Sequence, residues 1–136
     1  MVQVRLIEGR FALCTFDDTF SVREVARMRS DITEMFSSIT GKVVMRSDLR
    51  AVHMLRPEVK GPLTSVLQVD NPRIERNAIV VNRAVPFAIK AHNIIQEAES
   101  RARRIFTDRG DARVWLAEML NDRERAALDL VLATQQ

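Results

Sequence analysis

Four polar residues follow one predicted strand closely enough to form a small anion-binding set. They are Asp48, Arg50, His53 and Arg56. Two arginines can hold a phosphate or a carboxylate through paired N–H donors, and a neutral histidine adds one more polar contact. The alternative is a solvated loop in which Asp48 accepts hydrogen bonds from nearby backbone and pairs with Arg50. Under either interpretation, these residues mark our candidate interaction or ligand loop.

The other chemistry-bearing residues form no recognisable catalytic, metal or cofactor site. His53 and His92 are the two histidines, and Cys14 is the single cysteine. Zinc-ligand spacings therefore do not occur, and no serine and aspartate stand at triad-like spacing from either histidine. Cys14 lies in an apolar run, where a free thiol usually packs as a small hydrophobic side chain. We predict a non-enzymatic protein with no metal and no cofactor.

Length and composition restrict the class of protein. The chain has 136 residues and a net charge of +3, and it contains no tyrosine. Basic and acidic residues alternate except around Arg101, Arg103 and Arg104, which argues against a nucleic-acid partner. No apolar run reaches the roughly 18 residues of a membrane span, and the first ten residues do not resemble a secretory signal. We expect one cytoplasmic domain without a transmembrane segment.

The elements that must position the loop alternate between strand and helix. Residues 2–6 and 11–16 are predicted to form a hairpin, and capping patterns or prolines start helices near residues 21, 62, 86, 108 and 121. Strands are predicted at 42–48, 76–81 and 103–106. Such alternation indicates a mostly parallel sheet with right-handed crossovers, which the N-terminal hairpin makes mixed. The fold class is therefore α/β, with about five strands.

The C-terminal third supplies two further predictions about packing. Asp108 is expected to cap a helix that places the single tryptophan, Trp115, in the core. The last helix carries a short apolar patch of Leu128, Val131 and Leu132, which would pack on the protein's own sheet or against a second copy in a homodimer. We accordingly divide the chain into an α/β domain over residues 1–120 and a C-terminal helix over 121–136.

Several of these segments together resemble a known family. The strand end Asp48-Leu49-Arg50, the segment 103–108, the pair Trp115-Leu116 and residues 70–78 resemble the bacterial SpoIIAA-like branch of the STAS superfamily, and within it a subgroup of small bacterial proteins. The resemblance covers nearly the whole chain. It implies a mixed sheet with helices mainly on one face, and a regulatory role like that of the anti-sigma factor antagonists, which act by docking on a partner protein.

The chain departs from that family at the phosphorylated position. The antagonists carry a serine at the helix N-terminus after the third strand, and phosphate there blocks docking. The matching loop, 48–57, contains no serine or threonine, Ser47 falls in the strand, and Thr64 and Ser65 fall inside the helix. The resemblance thus implies docking on an unidentified protein partner without the usual phosphorylation switch.

A second function stays open at this stage. SpoIIAA-like domains are also grouped with CRAL-TRIO-type lipid-transfer folds, so the chain would alternatively carry a lipid or small ligand. The requirement is a large apolar cavity between helices and sheet, lined by Met28, Met35, Met54 and their neighbours. A tight core would instead favour docking.

Overall fold

The computed structural model describes residues 1–17, 20–83 and 85–134, which are organised around one five-stranded sheet. The strands are β1 (Val2–Glu8), β2 (Phe11–Phe16), β3 (Val43–Leu49), β4 (Ile74–Val81) and β5 (Arg103–Phe106), and the helices are α1 (Val22–Ser37), α2 (Pro57–Asp70), α3 (Val85–Glu97), α4 (Arg109–Ala117) and α5 (Asp122–Thr134). β1 is antiparallel to β2, and β2 to β5 run parallel in chain order. The mixed α/β sheet predicted from the alternation is confirmed.

The helices divide between the two faces of the sheet. α1, α2 and α3, which connect successive parallel strands, pack on one face, and α4 and α5 pack on the other. Each face of the sheet carries a hydrophobic core: the first lies under α1, α2 and α3, and the second lies under α4 and α5. Neighbouring residues of β3 point to opposite faces, so Met45 packs in the first core and Val44 in the second. Three of the five helices thus share one face, as the family resemblance implied. Within the described residues, no helix has the length and apolar composition that crossing a membrane requires.

α2 begins earlier than the sequence pattern indicated. We expected the regular helix to start at Pro62, but it starts at Pro57 and runs through Gly61 and Pro62. Pro57 occupies the first turn, where a missing N–H costs nothing. Pro62 deprives the carbonyl of Glu58 of its partner, but Glu58 lies in the exposed first turn, where water can replace that bond. The helix therefore tolerates the second proline.

Trp115 is half-buried and does not lie inside the core as predicted. Its ring packs against Phe106 with 5.5 Å between ring centroids. The guanidinium carbons of Arg76 and Arg104 lie 4.8 Å and 4.9 Å from the tryptophan ring centroid. Two cation–π contacts hold the indole at the edge of the second core. Ala112 and Leu116, on the same helix, fill the interior instead.

α5 is fastened to the opposite end of the chain by one carboxylate. Glu124 is almost fully buried and accepts hydrogen bonds from the backbone N–H of Arg10 at 2.6 Å and of Asn121 at 2.9 Å. The Asn121 side-chain oxygen in turn accepts a hydrogen bond from the Glu124 N–H, which completes the predicted capping box. Gly9 has a φ of +53°, and a Cβ there would lie 2.5 Å from the Glu124 carboxylate. Only glycine fits this turn without rearrangement.

The apolar patch of α5 packs mainly within the protein itself. Leu128 is fully buried, and Val131 and Leu132 are partly buried against the same core. Leu128 therefore has no surface to offer to a second copy. The exposed leucine of this helix is Leu130, at 67% exposure.

Candidate functional site

The end of β3 brings Asp48 and Arg50 together on the face of the sheet that α4 and α5 cover. The Asp48 carboxylate is buried and accepts hydrogen bonds from Arg50 Nε at 2.9 Å, from Arg50 Nη2 at 2.8 Å and from the Arg50 backbone N–H at 3.1 Å. Arg46 lies two residues earlier on the same face, with Nη1 3.6 Å from Asp48 Oδ2. One edge of the Arg50 guanidinium, formed by Nε–H and Nη2–H, is thus committed to Asp48.

Charge and burial act against each other in this cluster. Burial alone would raise the pKa of Asp48, but the hydrogen bonds from Arg50 and the charge of Arg46 hold it below its ordinary value. Arg46 is 1% exposed, and burial lowers the pKa of its guanidinium. Asp48 is therefore a carboxylate that balances a buried cation, which is a structural role.

His53 lies apart from that pair, on the loop before α2. The side chain is exposed, and its Nδ1 lies 3.5 Å from the amide nitrogen of Asn82. Asn82 donates to the Val52 carbonyl at 2.6 Å and so fastens the loop to the end of β4. Within the described residues, no group of three or more metal-ligating side chains comes together at His53 or elsewhere.

Arg56 belongs to a different surface, a groove between α2 and α3. The groove has a volume of about 200 Å³. Its floor is apolar, and three cationic side chains and one amide line it. We call it the α2–α3 groove, and its residues are Leu55, Arg56, Pro57, Lys60, Lys90, Asn93 and Ile94. Lys60 also pairs with Glu97 at 3.0 Å, an exposed ion pair that solvent screens.

Sequence reasoning found Arg56 but missed the two lysines. Lys60 lies in the first turn of α2, and Arg56 is the N-cap residue of that helix. The sequence pattern predicted the start of this helix only near residue 62, so it did not bring the two cations together. Lys90 lies on the next helix. Its approach to Arg56 depends on how α2 and α3 pack, and local periodicity does not contain that information.

A second polar set is hidden between the sheet and the first helical layer. Ser47 donates to Asn77 Oδ1 at 2.9 Å, and the Arg103 guanidinium donates to Asn71 Oδ1 at 3.2 Å and to the Leu67 carbonyl at 3.4 Å. Burial lowers the pKa of Arg103 to about 10. A small internal cavity lies beside these contacts. Asp70 lines it, and burial raises the pKa of the Asp70 carboxyl. Sequence reasoning did not predict these buried polar contacts.

The size of the internal cavity tests whether the protein could carry a lipid. Its volume is about 60 Å³, whereas a cavity of about 150 Å³ is needed to admit a molecule as small as benzene. Met28 lines the cavity, but Met35 does not, and Met54 is 60% exposed. A large methionine-lined chamber is therefore not present among the described residues, and the carrier alternative is not favoured.

Cys14 should resist thiol reagents in the native protein. The side chain is 2% exposed, and burial raises the pKa of its thiol to about 12. Since the thiolate is the reactive form, we expect no labelling by iodoacetamide at pH 8 in the folded state and full labelling in 6 M guanidinium chloride, read by mass spectrometry. Rapid labelling of the folded protein would show that β2 opens readily.

Comparison with known proteins bears on the fold. No protein-family model matches the chain, and no curated protein matches its sequence. The chain is similar to the crystal structure of an uncharacterised protein of the DUF3478 family from Shewanella loihica, described as having a SpoIIAA-like fold, with a TM-score of 0.63. The alignment covers 85% of this chain and 92% of that one at 14% identity. On this structural likeness, the chain has a SpoIIAA-like fold.

Proposed function

We propose that this chain is a non-enzymatic interaction domain that binds an acidic segment of a partner protein in the α2–α3 groove. The observation that carries the proposal is the convergence of Arg56, Lys60 and Lys90 around an apolar floor. Cations on the rim attract and orient carboxylates, and the floor gains from burial of an apolar side chain. The SpoIIAA-like fold, which is not a known enzyme fold, supports a docking role.

The shape of the groove favours a peptide over nucleic acid. A volume of about 200 Å³ accommodates one or two side chains, and the rim is a cluster of three cations with no extended stripe. Proteins that track a nucleic-acid backbone present longer basic surfaces with stacking aromatics. The described groove residues include no aromatic side chain. Charge complementarity and size therefore both support an acidic protein segment.

Control by phosphorylation at the family's position would require an accessible hydroxyl. Ser47 is buried and bonded to Asn77, and Thr64 is buried and bonded to the Lys60 carbonyl at 2.8 Å. Ser65 is exposed, but it lies inside α2, eight residues after Pro57, and not at the helix N-terminus. This arrangement supports the proposal that docking here works without that switch. A cytoplasmic location and self-association through Val131 and Leu132 stay predictions.

A peptide-display experiment tests the groove. A library of random twelve-residue peptides is panned on the native protein, and the enriched peptides are measured by fluorescence anisotropy. We expect one class of enriched peptides to be rich in Asp and Glu, and we expect the variant Arg56→Glu/Lys90→Glu to bind the peptides of this class at least tenfold more weakly. Binding should also weaken as salt rises, because the rim charges are exposed.

The matched control is Arg101→Glu/Arg123→Glu, which changes the net charge equally at two exposed positions outside the groove. This variant should bind like the native protein. If acidic peptides are not enriched, or if both double variants weaken binding equally, the α2–α3 groove is not the docking site.

A further inference from the structure

The outer edge of β1 leaves hydrogen-bonding groups of the backbone open to solvent. β1 pairs with β2 on one side and forms the edge of the sheet on the other. The Met1 carbonyl accepts a hydrogen bond from the Asp17 N–H at 3.0 Å. In an antiparallel pair this pattern repeats at every second residue, so the backbone N–H and C=O groups of the odd-numbered residues of β1 point toward β2. Val2, Val4 and Leu6 consequently turn their N–H and C=O groups outward.

One side chain already occupies the beginning of this edge. Arg27 of α1 donates to the Val2 carbonyl at 3.2 Å, which confirms the outward direction of that group. Among the described residues, no such bond is made to the outward groups of Val4 and Leu6. β1 has seven residues and contains no proline, and its irregularity against β2 falls after Leu6, so the stretch from Val2 to Leu6 keeps a regular open edge. Four neighbouring backbone groups are available to an added strand.

A groove runs beside this open edge, between β1 and α1. It has a volume of about 430 Å³, and its floor consists of Val4, Leu6 and Met35. Asp31, Glu34 and Ser38 line its other side. Leu6 is 39% exposed, which leaves an apolar surface at the strand edge uncovered. The groove therefore combines unpaired backbone, an apolar floor and two carboxylates.

We infer that this groove binds a basic, extended segment of a partner protein, which adds to the sheet as a sixth strand beside β1. Backbone bonds to Val4 and Leu6 would supply affinity, as in other proteins that extend a sheet with a peptide. An apolar residue of the segment covers Leu6, and flanking lysines or arginines meet Asp31 and Glu34. This site lies on the strand edge of the sheet and has the opposite charge to the α2–α3 groove, so it is independent of the proposed function.

A second copy of the chain fits this edge less well than a peptide. Antiparallel pairing of two β1 strands would bring the α1 helices of both copies together across the symmetry axis. Asp31 and Glu34 both line the groove beside β1, so such a dimer would bring two acidic grooves together at one interface. Like charges in such a position are destabilising, whereas a basic segment neutralises them.

Amide hydrogen exchange tests the inference through the alternation of β1. The probe is the most enriched Lys- or Arg-rich peptide from a twelve-residue display library panned on the native protein. We expect it to slow exchange of the Val4 and Leu6 amides at least tenfold. The Gln3 and Arg5 amides, which face β2, should change little and serve as the internal control.

Variants test the charge and the floor separately. Glu34→Lys and Leu6→Lys should each weaken peptide binding at least tenfold, while Asp122→Lys, an equal charge change at a fully exposed position on α5, should not. The inference is overturned if enriched peptides depend only on Arg56 and Lys90, or if they bind Glu34→Lys normally. Concentration-dependent protection of Val4 and Leu6 without peptide would also overturn it, in favour of a second copy.

Discussion

Replacing Asp48 by alanine should lower the free energy of unfolding by about 3–5 kcal/mol, as expected when one member of a buried ion pair is removed. Arg46, whose side chain is 1% exposed, would lose the carboxylate that lies 3.6 Å from it. Arg50 would lose a doubly bonded partner as well. Urea denaturation followed by circular dichroism measures the change.

The control for this prediction removes both charges together. In the variant Arg46→Met/Asp48→Val, the fully buried cation is removed together with its carboxylate, and Arg50, whose side chain is 31% exposed, can turn to solvent, so the loss of stability should be clearly smaller than for Asp48→Ala alone. A loss under 1 kcal/mol for Asp48→Ala would show that Arg46 does not depend on this carboxylate.

Asp48 should also make the protein sensitive to acid. Its pKa in the folded state is lowered below the value in the unfolded chain, so the stabilisation is present above the unfolded pKa of about 4 and is lost as pH falls through the folded pKa. Asp48→Asn should flatten the acid limb of the stability curve. An unchanged slope between pH 5 and pH 2 (roughly the carboxylate range) would contradict this account.

Replacing Glu124 by alanine should cost about 1.5–5 kcal/mol, because the Arg10 N–H left without an acceptor costs about 1–3 kcal/mol and the lost cap of α5 costs a further ~0.5–2 kcal/mol. The Arg10 and Asn121 N–H groups both depend on this carboxylate. Thermal unfolding measures the loss as a lower Tm. α5 should lose its helical signal first, since the same side chain caps that helix and holds it against the turn between β1 and β2.

Glu124→Gln is the matched variant for this position. The amide keeps one acceptor oxygen and nearly the same shape, so at least one of the two N–H groups stays satisfied. We expect its loss to be clearly smaller than that of Glu124→Ala. Equal losses in the two variants would indicate that packing around Gly9, and not hydrogen bonding, holds this junction.

The fold could be predicted because its signals are local. The apolar run at 76–81 indicated a strand covered on both faces, and β4 lies between β3 and β5 under helices on both sides. The capping residues Asp108 and Asn121 marked the starts of α4 and α5. Trp115 was misplaced because its two arginine partners come from β4 and β5, which the pattern of its own helix does not include.

The candidate sites could be predicted only in part. Asp48 and Arg50 are close in sequence, and their contact was anticipated as the alternative to a ligand loop. The α2–α3 groove and the groove beside β1 depend on distances between helices and strands that are far apart in sequence. Residue types alone indicate that Lys90 and Glu34 are polar, but tertiary packing decides what stands beside each of them.

The strand order has a consequence for how quickly the chain reaches this structure. Because spatial order follows chain order, each strand pairs with the next one in the chain, and the three parallel pairs are joined by crossovers of 21 to 26 residues, each of which carries only a moderate entropic cost. The bond between Glu124 and Arg10 is different, since it joins residues 114 positions apart. Closing this contact from the unfolded chain costs about 1 kcal/mol more than closing one of the crossovers, so docking of α5 should be the last step of folding.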